Sequence, residues 1–248
     1  MRALLLVLLL CGAAAAQELR SGYDDAGPQV RAMQDDDMAN PAFLWVQQGE
    51  ALWNRAEGAA GKSCADCHGP PASMRGVAAR MPAFDPALGR VVTLEQRIGQ
   101  CRTERQLASP LAPEGDAMLG LAALVGLQSR GMKVAVDVSG AAAEAASRGE
   151  AFFRLRQGQL NLSCEQCHDM LAGQSLAGSR IPQGHANGYP IYRLEWQGMG
   201  SLYRRLRACL AGVRAEPLAR DDALLGDLEL FLAARARGLR VETPTVRP

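Results

Sequence analysis

Two copies of the sequence C-x-x-C-H carry the chemistry of this chain. The first copy occupies residues 64–68 and the second occupies residues 164–168. In such a motif two thiols add to the two vinyl groups of one porphyrin, and the following His gives an imidazole ligand to the iron. One copy alone could be a redox C-x-x-C or half of a zinc site, but two of the chain's three His residues lie in these motifs. The pattern therefore predicts two covalently bound haem c groups. The predicted haem-binding residues are Cys64, Cys67, His68, Cys164, Cys167 and His168.

The composition limits the class of protein. A chain of 248 residues with 48% hydrophobic residues can form two domains of about 100 residues each, which is the size of a small cytochrome. Aromatic residues make up only 5%, which suits domains whose interior is filled by a haem. The formal net charge is +1 and no polybasic run occurs, so the sequence predicts no nucleic-acid partner.

The N-terminus is typical of a secretory signal peptide covering residues 1–16. Arg2 precedes an apolar run at residues 4–10, and a run of alanines follows before the expected cleavage point. The apolar run is too short to cross a bilayer, so we expect no transmembrane segment in the mature chain. The alternative is a lipoprotein signal lipidated at Cys11, although Leu10 is bulky where a small residue is needed. Export fits the haems, because bacteria attach haem c outside the cytoplasm, and it predicts a periplasmic protein.

The helix predicted before each motif repeats one detail. Gly49 lies four residues before the aromatic Trp53, and Gly149 lies four residues before Phe153. At this spacing the Gly and the aromatic share one helix face, where the Gly admits close approach of another helix. This is the type of helix that precedes the haem motif in small c-type cytochromes.

The ends of the two halves also match. Residues 94–101 and 202–209 both read L-x-x-R-[I/L]-x-x-C, and a further apolar helix follows each of them. The sequence therefore predicts an all-α fold of two tandem cytochrome c-like domains related by internal duplication. The first domain, with an N-terminal extension, covers residues 17–138, and the second, which carries the active site, covers residues 139–248.

Two segments fall outside this repeat. Residues 17–40 are polar and show no periodicity, so they form either an extension that wraps around the body of the protein or meets a partner, or a disordered leader. Residues 173–199 are rich in Gly and Pro and belong to the second half only. We expect them to form a long loop over the second haem.

The residues alone leave open the second ligand of each iron. Methionine is the usual choice and gives an electron carrier. Yet each half has one further cysteine, Cys101 or Cys209, at the same place in the repeat. These two could form a disulfide, could be buried inert thiols, or could ligate the two irons as thiolates, which lowers the haem potential. A disulfide does not explain their equivalent positions. The methionine candidates are Met74, Met81, Met170 and Met199.

Arg205 lies four residues before Cys209 and therefore shares its helix face. A guanidinium there can bind an oxyanion and lower the pKa of the thiol. Arg204, Arg207 and Arg214 add positive charge around it, unless they are simply solvated helix-surface residues. A thiol beside arginines and a haem suggests a site for a small sulfur oxyanion.

Together these features resemble the SoxA family, the larger subunit of the SoxAX cytochromes of bacterial thiosulfate oxidation. The resemblance rests on the two haem motifs, on the sequence GQCR at residues 99–102, and above all on RLRAC at residues 205–209 followed by VRAEPL at residues 213–218. It covers roughly residues 43–238.

The resemblance implies an L-cysteine S-thiosulfotransferase, which joins thiosulfate oxidatively to a cysteine of the SoxYZ carrier and passes two electrons to haem. By resemblance, Cys209 is the active-site cysteine, carried as a persulfide and ligating the second iron, and Arg205 binds substrate. Cys101 is then the distal ligand of the first iron, and His68 and His168 are the proximal ligands. The implied cofactors are two haem c groups, and the implied partner is a SoxX-like monohaem cytochrome c in a heterodimer.

The sequence alone also allows three other functions. A dihaem electron carrier with His/Met irons does no chemistry of its own. A dihaem peroxidase-like enzyme needs an open or His-ligated iron, for which His185 is the available third histidine. A haem subunit that only anchors a partner tolerates the loss of Cys209.

Overall fold

A computed structural model describes residues 18–248. The expected signal peptide, and Cys11 with it, lies outside the described residues. Within the described part of the chain, no helix is long and apolar enough to cross a membrane. The helices are α1 (Pro28–Asp35), α2 (Phe43–Asn54), α3 (Cys64–His68), α4 (Leu94–Gln100), α5 (Asp116–Leu127), α6 (Ala141–Arg154), α7 (Leu202–Gly212) and α8 (Ala223–Arg235).

Short strands connect these helices. A hairpin of two strands precedes α4, and a second hairpin lies in the Gly- and Pro-rich insert. A third hairpin, formed by β5 (Ile191–Arg193) and β6 (Gly198–Gly200), precedes α7, and β7 (Thr245–Arg247) from the C-terminal end of the chain pairs parallel with β5. The strands are β1 (Ala83–Asp85), β2 (Arg90–Val92), β3 (Ser175–Leu176), β4 (Ser179–Arg180), β5 (Ile191–Arg193), β6 (Gly198–Gly200) and β7 (Thr245–Arg247).

The expectation of an all-α fold is therefore met only in part. Helices dominate, but short strands form as well, and β5, β6 and β7 cover part of the interior without a helix. A segment that packs over a core must pair its backbone N–H and C=O groups, and short ladders do this for β5, β6 and β7. Period-two alternation over three residues is too short a signal to be read from sequence.

In the first half, α2 crosses α5 at a glycine contact. A Cβ atom on Gly49 would lie 2.2 Å from the carbonyl oxygen of Gly120, so the two helix backbones touch. Around this crossing Val46, Trp53 and Leu119 are buried in one apolar core. The glycine predicted to admit a second helix does so.

In the second half, α6 crosses α8 in the same manner. A Cβ atom on Gly149 would lie 2.2 Å from the carbonyl oxygen of Asp227. Phe153, Leu228 and Leu232 are buried beside this crossing. Each of the two predicted glycine and aromatic pairs therefore lies at a helix crossing.

A third apolar cluster joins the halves. Val91 of the first hairpin, Ala145 of α6 and Leu230 of α8 are all buried in it. Residues 132–138, which connect the halves, contribute Val134 and Val136. The two halves therefore share a continuous apolar contact.

The N-terminal segment is built into the second half. The Asn40 side chain donates to the carbonyl oxygen of Pro244 at 3.0 Å, and Gln34 Oε1 accepts from the backbone N–H of Val246 at 3.1 Å. Near its start, the backbone N–H of Arg20 donates to Gln183 Oε1 at 2.8 Å. For residues 18–40 the prediction of a wrapping extension is confirmed, and that of a disordered leader is wrong.

Candidate functional site

The first C-x-x-C-H motif forms α3. Ser63 caps this short helix, because its Oγ accepts from the N–H of Asp66 at 3.1 Å and its own N–H donates to Asp66 Oδ2 at 2.8 Å. This reciprocal capping box fixes the start of the helix at Cys64. It thereby sets both thiols and His68 on one short helical segment.

Cys101 lies beside this first motif. It begins a π-helical turn (Cys101–Arg105) that continues α4. Burial raises the pKa of Cys64, and the neighbouring Cys101 raises it further. Burial also raises the pKa of Cys101, against the lowering effect of Arg97 and Arg105. The structure therefore brings Cys101 to the motif of its own half, as the repeat predicts.

His68 is exposed, and its ring stacks loosely on a tryptophan. The two ring centroids of His68 and Trp53 lie 5.8 Å apart. Trp53 Nε1 donates to the carbonyl oxygen of Gly69 at 2.9 Å, which ties the helix before the motif to the end of the motif. The aromatic that follows Gly49 in α2 thus positions the first haem-binding segment.

The second motif is capped in a similar way. Ser163 Oγ accepts from the N–H of Gln166 at 3.3 Å, and Gln166 Oε1 accepts from the N–H of Ser163 at 2.9 Å. After Cys164 and Glu165 the chain widens into a π-helical turn (Gln166–Met170) that contains Cys167 and His168. Widened turns of this kind occur frequently at functional sites.

His168 is held in one tautomer by the loop that follows. Its Nδ1 lies 2.8 Å from the carbonyl oxygen of Pro182. Because a carbonyl oxygen only accepts, Nδ1 carries the hydrogen and Nε2 keeps a free lone pair, which is the arrangement of a metal-ligating histidine. Burial lowers the pKa of His168, which favours the neutral, ligating form. A Cβ atom on Gly184 would lie 2.9 Å from the Cγ atom of His168, so the loop also packs directly on the ring.

A cavity of about 370 Å³ opens beside this histidine. Its volume is typical of ligand-binding pockets. Cys164, His168, Arg205 and Cys209 all line it. The arginine and the cysteine predicted to act together on α7 therefore face the same space as the second haem motif.

The residues around the cavity fit a c-type haem. An imidazole with a free Nε2, a motif thiol and a second thiol on α7 all face it, and both apolar and polar side chains complete its lining. Burial, together with the nearby Cys209, raises the pKa of Cys164 to about 11. The donor set matches that of a haem attached through cysteine with nitrogen and sulfur ligands. The apolar lining residues include Phe153, Leu206, Leu228 and Leu232.

The methionine candidates of the second half lie away from this cavity. The side chain of Met170 is exposed, and Met199 is buried among residues of the first-half core. Cys101 and Cys209 are both free thiols, each next to the motif of its own half. The structure therefore speaks against the disulfide between them and leaves Cys209 as the second sulfur donor at the cavity.

Of the predicted arginine cluster, only Arg205 lines the cavity. The Arg204 guanidinium stacks on the ring of Trp196 at 4.2 Å, and Arg207 lies 5.7 Å from the ring centroid of Tyr203. Arg214 donates to Gln159 Oε1 at 3.4 Å on the exposed surface. For these three residues the surface interpretation is the correct one.

His185 also lines the cavity, but as a neutral residue in a hydrogen-bond chain. Its Nε2 lies 3.0 Å from Gln183 Oε1, the same oxygen that accepts from the N–H of Arg20. Burial and the nearby Arg235 lower the pKa of His185 to about 4. A histidine held in this way suits a structural role better than that of a peroxidase base.

Sequence reasoning missed several residues of the cavity. Arg193 and Tyr189 line it from the insert, while residues 22–27 and the C-terminal Arg247 line it from the two ends of the chain. The Gly- and Pro-rich composition predicted that the insert covers the second haem face, and residues 178–191 do line the cavity. No sequence signal marked which side chains of the insert, or of the chain ends, point inward.

Comparisons with known proteins show which family the chain resembles. Residues 48–134 match the family described as SoxA/TsdA, cytochrome c domain, whose members bind haem c covalently. The L-cysteine S-thiosulfotransferase subunit SoxA of Rhodovulum sulfidophilum is 37% identical over 93% of this chain and 80% of its own length. The protein of the same name from Pseudaminobacter salicylatoxidans is 38% identical over 92% of this chain and 80% of its own length.

A solved structure shows the same fold. The crystal structure of SoxXA from P. pantotrophus superposes with a TM-score of 0.89 and 37% sequence identity, covering 93% of this chain and 87% of that chain. The long shared alignment, the cytochrome c domain and the cavity that joins Cys209 to the second motif have one common explanation: the chain belongs to the SoxA family.

Proposed function

We propose that this protein is an L-cysteine S-thiosulfotransferase subunit that joins thiosulfate to a cysteine of a carrier protein. The observation that carries the proposal is the convergence of Cys209, Arg205 and His168 on one cavity. The activity for which the SoxA relatives are named supports the same reaction. Cys209 is the proposed active-site residue, and Arg205 is the proposed substrate-binding residue.

The proposed reaction forms one sulfur–sulfur bond and releases two electrons. The terminal sulfur of thiosulfate bonds to the sulfur of the carrier thiol, the thiol proton is lost, and the product is a cysteine S-thiosulfonate. His168 and Cys209 would hold a haem at this cavity, and that group would supply a one-electron acceptor. The chain's own residues contribute binding and orientation. The Arg205 guanidinium offsets the charge of the dianion as it approaches the sulfur of Cys209.

We further propose two haem c groups in two cytochrome c-like domains related by internal duplication, residues 17–138 and 139–248. His68 and Cys101 would ligate the first iron, and His168 and Cys209 the second. The repeated caps at Ser63 and Ser163 support the duplication, as do the matching glycine crossings of α2 with α5 and of α6 with α8. The cysteine beside each motif supports one haem per domain.

The proposed partners follow from the relatives. The solved neighbour is a SoxXA complex, which supports a heterodimer with a SoxX-like monohaem cytochrome c. The substrates would be thiosulfate and a SoxYZ-like carrier protein. The expected signal peptide at residues 1–16 supports a periplasmic location.

The test measures thiosulfate-dependent mass gain on the carrier cysteine, with the haem-loaded complex and an electron acceptor. We expect Cys209→Ala to lower the rate by a factor on the order of 10³ or more, because the active-site sulfur is lost. Cys101→Ala is the matched control, since it removes the equivalent thiol of the other half. Its effect should fall on the absorption spectrum of the first haem.

An opposite result would return the protein to the class of electron carriers or anchoring subunits. That result is a Cys209→Ala complex that conjugates thiosulfate at the parent rate. Intact mass gives an independent readout, since two haems and a reductant-labile gain of about 32 Da on the Cys209 peptide indicate a persulfide.

A further inference from the structure

Arg193 faces the same cavity as Arg205 and Cys209, although it lies on a different element. It is the last residue of β5, whose backbone pairs with Gly198 on one side and with Arg247 on the other. The ring of Trp196 lies 5.2 Å from its guanidinium. A strand paired on both sides and an aromatic contact give this side chain a fixed position.

The charge of Arg193 is poorly compensated. Its side chain is only 14% exposed, and its nearest acid is Glu195, whose Oε1 lies 3.1 Å from Nε but whose side chain is 51% exposed. The geometry of this contact does not make a hydrogen bond, so Nε is buried without one among the described residues. Burial lowers the pKa of Arg193, and the nearby Arg205 lowers it further. An arginine nevertheless stays charged in a protein, so two like charges face one cavity.

The positive charge of Arg205 is compensated even less than that of Arg193. Within residues 18–248 its side chain makes no ion pair and no side-chain hydrogen bond. The other two cavity arginines differ from both, because Arg180 is exposed to solvent and the hydrogen bonds of Arg247 are accepted by Glu242 and Gln34 Oε1. Arg193 has only an exposed ion-pair partner and Arg205 has none in the described part of the chain, so the two guanidiniums leave excess positive charge at the cavity, which an anion between them would offset.

A neutral donor completes the set. Tyr189 lines the cavity near both arginines, and burial raises its pKa to about 12, so its hydroxyl keeps its hydrogen at neutral pH. Thiosulfate offers three oxygens and two negative charges. Two guanidiniums and a hydroxyl match such a dianion in charge and in hydrogen-bonding capacity.

We propose that Arg193 is a second oxyanion-binding residue of the Cys209 site, acting with Arg205 to select a doubly charged sulfur oxyanion. This inference rests on the proposed function and adds the residue that sets charge selectivity. Arg205 comes from α7 and Arg193 from β5. Both arginines therefore face the cavity only when the insert packs over the second half. The two haem propionates, each with one negative charge, are the other source of anionic oxygens at such a pair, and the test separates the two sources.

The experiment measures binding of thiosulfate, of sulfate as a non-reacting dianion and of thiocyanate as a monoanion by calorimetry on the haem-loaded protein. We expect Arg193→Met to weaken thiosulfate and sulfate binding about 10- to 100-fold, as the loss of a charged hydrogen-bonding partner does. Thiocyanate binding should fall much less. Arg193→Lys should recover part of the lost affinity, because it restores the positive charge but not the planar pair of guanidinium N–H donors.

Arg207→Met is the matched control, since it removes the same charge from the exposed face of α7 and should leave the affinity for thiosulfate unchanged. Haem content and the midpoint potential of the second haem are measured on every variant. Unchanged thiosulfate affinity in Arg193→Met overturns the inference. If the affinity is unchanged but the midpoint potential of the second haem shifts or haem is lost, Arg193 binds a haem propionate instead. If Arg205→Met weakens binding while Arg193→Met does not, the proposed function stands and only the inference fails. If neither variant affects binding, the proposed substrate site itself is wrong.

Discussion

At the scale of single residues, the second site is distinguished by how firmly its histidine is held. Pro182 accepts the hydrogen of Nδ1 at 2.8 Å, and Gly184 packs against the His168 ring. His68 of the first motif is exposed and has a looser aromatic contact. The imidazole with more contacts is therefore the one whose cavity is also lined by Cys209 and Arg205.

Substitution of His185 tests whether this residue takes part in proton transfer. Its ring is neutral above a pKa of about 4 and is hydrogen-bonded to Gln183, so we expect no proton transfer from it during the reaction. His185→Gln should therefore reduce conjugation by much less than the roughly 100-fold that loss of a general base costs. The rate of carrier modification between pH 5 and 8 is the measurement.

A peroxidase-like role for the same residue makes the opposite prediction. In that case His185→Gln abolishes turnover, and the parent shows a step in its pH profile that the variant lacks. Hydrogen-peroxide reduction by the parent protein, measured beside carrier modification, provides the comparison.

At the scale of elements, two glycine crossings hold the helices that carry the motifs. Gly149 of α6 touches the backbone of α8 at Asp227, and Gly49 of α2 touches that of α5 at Gly120. Backbone atoms cannot move aside as a flexible side chain can. These crossings therefore fix the distance between the helix before each motif and the helix that closes the same half.

Gly149→Ala tests whether the close crossing of α6 and α8 stabilises the protein. The added methyl group would lie 2.2 Å from the carbonyl oxygen of Asp227, so α6 and α8 must separate. We expect the free energy of unfolding to fall by about 1–3 kcal/mol, which is typical of overpacking. Denaturant unfolding followed by circular dichroism measures it.

Gly212→Ala is the control for this variant. It lies at the end of α7, where a Cβ atom meets nothing within 4 Å. Replacing Gly by Ala in a helix is neutral or stabilises by about 0.5–1 kcal/mol. Equal losses in both variants would show that the close crossing is not the cause.

At the scale of the whole molecule, two acidic side chains meet at the contact between the halves. Glu95 of α4 and Glu229 of α8 line a second, smaller cavity of about 80 Å³. Burial and, to a smaller extent, the nearby Glu95 raise the pKa of Glu229 to about 8. Glu114 adds to this effect and Arg220 opposes it. The folded protein therefore holds a proton that the unfolded chain releases.

This proton makes stability depend on pH. Between the ordinary Glu pKa of 4.5 and about 8, the folded state binds more protons than the unfolded state. The stabilisation is complete below pH 4.5 and declines as the pH rises towards 8, by up to about 1.4 kcal/mol per pH unit for one proton.

Glu229→Gln removes the titrating group while keeping its size. We expect its free energy of unfolding to change less between pH 5 and pH 8 than that of the parent, as measured by denaturant unfolding at both values. Glu216→Gln is the control, because Glu216 is exposed. A parent and a Glu229→Gln variant with parallel pH profiles would contradict the assignment.

The sequence by itself determined the chemistry that depends on neighbouring residues. Both haem motifs, the glycine in the helix before each motif and the Arg205–Cys209 pair follow from spacings of a few residues, which one helix converts directly into geometry. The predicted helices at 94–101 and 202–209 appear as α4 and α7. The resemblance to the SoxA family is confirmed by the relatives.

Only the tertiary structure decided which distant residues complete the site. Arg193 reaches the cavity through a strand that pairs with the C-terminal β7, and residues 22–27 reach it because the extension is anchored by Gln34 and Asn40. The buried pair of Glu95 and Glu229 likewise comes from opposite halves. Such contacts join segments far apart in the chain, and no local periodicity encodes them. Their positions follow from the packing of the two halves against each other.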